Sequence, residues 1–107
     1  MIDRTKLNAL LGDDPKMVQR FVDIFTAQTP EQLLQLKKSV INKEWDMASI
    51  TAHTIKSQCE YLGLEELTAL TFKIEQLTED KLQLELTLGL VEKLSEQLNE
   101  IIRTELD

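Results

Sequence analysis

At 107 residues, with 42% hydrophobic and 29% charged side chains, the chain has the size and balance of a single globular domain, numbered 1–107 throughout. Nineteen acidic against twelve basic residues give a net charge of −7, which weighs against nucleic-acid binding through clustered Lys and Arg. One cysteine excludes an internal disulfide and suits a reducing, cytoplasmic setting; no apolar run approaches the ~20 residues of a membrane span, and the N-terminus lacks a signal-peptide layout.

The punctuation is helical throughout. A short N-terminal helix precedes "GDDPKMVQRFVDIF", where Asp14 is placed as an N-cap and Pro15 at the first helical position. "TPEQLLQLKKSVI" repeats the device and predicts a separate helix, with Thr29 as its cap, Pro30 opening it and Gln32 at the capping-box position. Val18, Phe21, Val22 and Phe25 before this start, and Leu33, Leu34, Leu36 and Val40 after it, recur at helical spacing. After the polar break "NKEWD" a third long helix is predicted from about Trp45 to Leu62, with Gly63 placed to end it in a left-handed conformation. "LEELTALTFKIEQL" then sets Leu64, Leu67, Leu70, Ile74 and Leu77 on one stripe.

The last segment reads two ways. "KLQLELTLGL" alternates leucines at 82, 84, 86, 88 and 90, a strand pattern if taken alone. Leucine is not β-branched, however, and no second strand exists to pair with it. A helical stripe also runs through Leu86, Leu90, Val91, Leu94, Leu98, Ile101 and Ile102, so a helix is expected from about residue 82, with Gly89 its weak point. The whole is expected to be all-α: an antiparallel up-down four-helix bundle with a short extra N-terminal helix.

The chain's one histidine lies in the third helix. On a projection of ~100° per residue, Ala48, Ala52, Ile55, Cys59 and Leu62 form the core stripe. Asp46, Ser49, His53, Lys56, Ser57 and Glu60 occupy the opposite third. Residues three and four apart are surface neighbours, so His53 has Ser49 one turn before it and Lys56 and Ser57 one turn after. The small side chains leave the imidazole open, with a cation beside it. Cys59 projects ~120° away and cannot form a nucleophile–base pair with His53 or share a metal with it; a buried inert thiol is its expected state. Carboxylate-bridged di-iron chemistry needs Glu-x-x-His, whereas Ile50 sits three before His53. No glycine-rich loop offers an ATP cradle.

The stretch Ala52, His53, Thr54, Ile55, Lys56, Ser57, followed by Gly63, resembles the core motif of the histidine-containing phosphotransfer (HPt) domains of bacterial multistep phosphorelays, Ala-His-x-(apolar)-Lys-(Gly or Ser) and then a glycine. "LLGDDPKMVQRFVDIFTAQTPEQLLQL" is similar to the family's N-terminal helices, "EWDMASITAHTIKS" to its tryptophan-led helix start, and "LGLEELTALTFKIEQL" to the helix that follows. The resemblance covers about residues 7–78.

The resemblance implies that His53 takes a phosphoryl group from an aspartyl phosphate on a response-regulator receiver domain and hands it to another receiver. Such transfer rests on in-line positioning and charge stabilisation. It asks for a free ring nitrogen and a cation for the phosphoryl oxygens, the role implied for Lys56; at ~4 Å and an effective dielectric of ~20 that attraction is about 4 kcal/mol, screened toward ~1 kcal/mol in the open. Ser57 stands where the family more often has glycine, a small residue that admits the receiver. In several members a Glu or Gln hydrogen-bonds the histidine's other nitrogen, and the matching position is Glu75, which would hold the Nδ1–H tautomer; an ordinary rim glutamate is the rival reading.

The partner-facing patch is expected at Ser49, His53, Lys56, Ser57 and Glu60, rimmed by Leu7, Leu10 and Leu11. Glu60 would oppose a phosphorylated histidine, pair with Lys56, or meet a basic receiver residue. No resident cofactor is expected, with Mg²⁺ belonging to the receiver, and the domain is expected to be a monomer without membrane contact and without kinase activity of its own. Two rivals stay open: a phosphoacceptor fed by an ATP-binding histidine kinase domain, and a non-catalytic adaptor bundle. The sequence does not decide between a free-standing protein and the tail of a hybrid sensor histidine kinase, nor the direction of phosphoryl flow.

Overall fold

A computed structural model describes residues 2–81 and 83–106. Five helices account for nearly all of it: α1 (Thr5–Leu10), α2 (Pro15–Ile41), α3 (Trp45–Tyr61), α4 (Glu65–Asp80) and α5 (Leu84–Leu106). The all-helical class expected from the sequence is what forms. α3 packs against α2 and α4, and α5 closes the ring by packing against the same two helices, while α1 rests on α2. Among the described residues no helix is long and apolar enough to cross a membrane.

α2 differs from expectation. Asp14 caps it as anticipated, its carboxylate accepting from the backbone amides of Lys16 (3.0 Å) and Met17 (3.4 Å). No second helix begins at Pro30, because α2 runs straight through it to Ile41. Pro30 removes one backbone hydrogen bond and crowds the carbonyl of Thr26, at about 3 kcal/mol. Against that, Val18, Val22, Phe25, Leu33, Leu36 and Val40 are all buried in one unbroken stripe, each stabilising by about 1.5–3 kcal/mol. The two predicted helices were in phase, so tertiary packing overrides the proline. Thr29, expected as a cap, is wholly buried instead, and its hydroxyl has no hydrogen-bond partner among the described residues.

α2 and α3 end in the same device. Lys43 and Gly63 adopt left-handed conformations (φ 57° and 68°), and in each case the next amide reaches back to close the turn. Leu64 N–H donates to the Cys59 carbonyl at 2.9 Å and Gly63 N–H to that of Glu60 at 3.2 Å. The N-terminal strap crosses here, with Asp3 N–H donating to the Leu62 carbonyl at 2.8 Å. A Cβ on Gly63 would stand 2.6 Å from that of Asp3, so both backbone hand and close approach require glycine.

The leucine alternation at the start of α5 forms no strand; Thr87, Val91, Leu94, Leu98 and Ile102 carry its buried face. The helix begins at Leu84, and the expected start at about residue 82 falls on Leu82, which lies outside the described residues. The core joins Phe25, Leu36, Ile55, Leu62, Ile74, Leu94 and Leu98 from all four long helices. Leu7 belongs to this core at 1% exposure, which corrects its expected place on the partner-facing rim: α1 turns that side chain inward as its one buried anchor.

Candidate functional site

The core stripe of α3 (Ala48, Ala52, Ile55, Cys59) is fully buried, and this fixes the rotation of the helix. Its opposite face is thereby turned outward with His53 on it, the side chain 60% exposed. α4 is oriented by its own stripe (Leu67, Thr71, Ile74, Leu77), which leaves Glu75 beside the seam with α3 at 12% exposure. The two elements bring together residues twenty-two apart in sequence: Glu75 Oε2 lies 3.0 Å from His53 Nδ1. The other carboxylate oxygen, Oε1, accepts from Lys56 Nζ at 2.7 Å. One carboxylate therefore ties the imidazole to the ammonium.

The protonation pattern follows. Burial pushes the Glu75 carboxyl up, but hydrogen bonds from Lys56 and His53 and their charges outweigh it and hold the group below the usual carboxylate range. An ionised carboxylate only accepts, so the proton of the His53–Glu75 bond resides on Nδ1. A neutral ring then carries its lone pair on Nε2, which makes no hydrogen bond among the described residues. That is a nucleophile held in one tautomer and one orientation, the arrangement that a carboxylate imposes on histidine in catalytic triads.

The remaining residues fall in several places. Ser49 and Ser57 are half-buried on the histidine face. Glu60 pairs with neither Lys56 nor His53; its Oε1 is 3.6 Å from Nζ of Lys6 on α1. Leu10 is exposed at 57%, while Leu11 packs partly against the core, so the rim from α1 reduces to Leu10 and the edge of Leu11. Cys59 faces away from the site in full burial. Among the described residues no group of three or more His, Cys, Asp or Glu side chains is arranged to hold a metal.

One neighbour escapes the sequence reading. Phe72 on α4 lies under the Lys56 ammonium, its ring centroid 5.0 Å from Nζ. It stands three residues before Glu75 and off the apolar stripe of α4, and an aromatic residue out of phase with the core was the available signal.

The site is thus an open imidazole, oriented through Nδ1, on the outer face of an all-helical domain. The family comparison gives that site its chemistry: the model of the Hpt domain family matches residues 20–104, most of the chain, and the chain belongs to this family. Histidine phosphotransfer in two-component phosphorelays is its function. The match takes in α5, which the sequence resemblance had left outside its span. Comparisons with curated proteins and with solved structures return no match.

Proposed function

We propose that His53 is the phosphoacceptor and that the domain shuttles phosphoryl groups between receiver aspartates. The observation that carries the assignment is the 3.0 Å contact between Glu75 Oε2 and Nδ1 of the chain's one histidine, made while the ring stays exposed. In the forward step Nε2 attacks the aspartyl phosphate in line, the P–O bond to aspartate breaks as the N–P bond forms, and the free carboxylate departs with the receiver. The ring gains positive charge, and Glu75 stabilises it through Nδ1–H. Lys56 uses one of its three N–H donors on Glu75 and has two left for the phosphoryl oxygens. The half-buried Ser57 leaves a small surface on which a receiver seats.

The rest of the reading concerns setting. Only Leu62, Gly63 and Leu64 separate α3 from α4, and the two helices pack against each other, a short connection that supports an antiparallel up-down arrangement. The domain works as a cytoplasmic monomer with receivers, alone or as part of a hybrid sensor kinase, and holds no cofactor; Mg²⁺ belongs to the receiver's acidic site. Ser49, Glu60, Leu10 and the edge of Leu11 border the docking face. Against an adaptor bundle whose histidine is incidental stand two observations together: the imidazole is 60% exposed, and Lys56 is tied to it through the same Glu75 carboxylate.

The test offers the domain two donors carrying labelled phosphate, a phosphorylated receiver and an ATP-fed histidine kinase domain. Acid-labile label reaching wild type from the receiver, and absent in His53→Gln, is the expected result. Label from the kinase domain alone moves the protein to the other donor class, and equal labelling of His53→Gln removes His53 as acceptor.

A further inference from the structure

Lys56 has a choice of carboxylates. Glu60 lies four residues on along α3, the spacing at which helical side chains meet, and Glu65 lines the same recess of about 460 Å³ with Lys6, Thr68 and Phe72. The ammonium nevertheless sits on Glu75, and Glu60 is left to Lys6. Two groups of α4 hold the ammonium where it is: Phe72 and Glu75, three apart, lie 5.0 Å (ring centroid) and 2.7 Å (Oε1) from Nζ. A cation over an aromatic face is attracted by the ring quadrupole, the more so where the ion is partly desolvated, and the Lys56 side chain is only 19% exposed. The ring lines the same recess as Glu60, so an ammonium that left Glu75 for Glu60 would have to give up its place over the ring face to do so. Phe72 itself is 48% exposed and stands outside the buried core, so packing gives no sufficient reason for an aromatic there.

We propose that Phe72 is a positioning residue: its ring face holds the Lys56 ammonium on Glu75, and through Glu75 it fixes the His53 proton on Nδ1 and frees Nε2. The consequence for transfer rests on His53 being the acceptor; the effect on the ring does not.

The experiment therefore has two readouts, neither involving a receiver. The imidazole ¹⁵N spectrum at neutral pH reports the Nδ1–H tautomer in wild type, Phe72→Ala, Phe72→Leu and Phe72→Tyr. Labelling by phosphoramidate, where the donor P–N bond breaks, ammonia leaves and the Nε2–P bond forms, reports nucleophilicity without docking. Phe72→Ala and Phe72→Leu are expected to lower the Nδ1–H population and slow labelling about two- to fivefold, with Phe72→Tyr close to wild type. If Phe72→Ala destabilises the fold, the comparison of Leu with Tyr decides alone. An unchanged tautomer and rate in Phe72→Ala, or Leu rescuing as well as Tyr, overturns the proposal. A tautomer that responds in a protein that no donor labels would keep the positioning role and remove His53 as acceptor.

Discussion

Glu75 and His53 meet across the seam of α3 and α4 at 3.0 Å, although neither lies on its own helix's buried stripe. The contact exists because the two stripes set the rotation of the two helices independently. Packing thus positions the chemistry without contributing a core residue to it. The same carboxylate carries the Lys56 bond, so its replacement affects proton placement and charge together.

Replacing Glu75 separates these effects. Glu75→Gln keeps an acceptor for Nδ1–H and drops the charge, whereas Glu75→Ala drops both. A hydrogen bond to a charged group contributes about 1.5–3 kcal/mol, so the alanine variant should transfer phosphoryl about 10–100-fold more slowly, and the glutamine variant should lose less. The pH dependence of stability has a fixed sign. The folded Glu75 carboxyl lies below its unfolded value, so the stabilisation is fully present above the unfolded carboxylate range, near ~4.3, and disappears as pH falls through the folded value. Urea unfolding should therefore show wild type above Glu75→Gln by a constant margin at neutral pH, closing in acid. A margin independent of pH would remove the ionic account.

Three turn or helix positions separate backbone causes from packing. Gly63→Ala meets a left-handed φ of 68° and the Asp3 side chain at 2.6 Å, and should destabilise by at least about 1–2 kcal/mol. Lys43 occupies the equivalent position at the end of α2 with φ 57°, so Lys43→Gly should stabilise by somewhat under about 1 kcal/mol. Gly89 lies exposed inside α5 with open space where a Cβ would go, so Gly89→Ala should gain about 0.5–1 kcal/mol. Thermal unfolding of the three variants checks the order; a neutral Gly63→Ala would show that neither the left-handed turn nor the strap at Asp3 resists a Cβ there.

Periodicity made much of the burial pattern legible, because apolar spacing is a local property: the stripe of α3 and most of those of α4 and α5 could be taken from the letters alone, whereas the buried Thr71, Thr78 and Thr87 and the exposed Leu86 could not. Pro30 was misleading because its local signal opposes a stripe that continues in phase on both sides, and only the summed burial along α2 decides between them. Leu7 was misplaced because a helix of under two turns carries too little pattern to fix its rotation. His53 and Lys56 stand out as an open face, yet the sequence does not show that Glu75 bonds both, since that distance depends on how two helices pack. Phe72 required the same knowledge, and so did the Lys6–Glu60 pair.

Leu7 and Leu10 test that correction on α1. Leu7→Ala removes a buried side chain and should destabilise by about 2–5 kcal/mol. Leu10→Ala, on the exposed side of the same helix, should leave the unfolding free energy within about 0.5 kcal/mol and weaken receiver docking instead. Chemical unfolding and receiver binding measured on both variants check the division. Equal stability loss from the two would mean that α1 packs along both faces.

Cys59 offers a probe of opening that leaves the site untouched. Burial pushes its thiol up to about 12, and a hydrogen bond with Thr71 offsets only part of this. At pH 8 a thiol of that kind is ionised to about one part in ten thousand, and only the thiolate alkylates. The side chain is also wholly enclosed, so iodoacetamide reaches it only when α3 and α4 separate. Alkylation of native protein should therefore be far slower than in urea. It should rise in Gly63→Ala about tenfold for each ~1.4 kcal/mol of lost stability and stay unchanged in Leu10→Ala. Where opening and closing are fast compared with alkylation, the ratio of the rates gives the opening free energy directly. Native labelling at the unfolded rate would mean that the core face of α3 is not closed, and the rotation that turns His53 outward would lose its support.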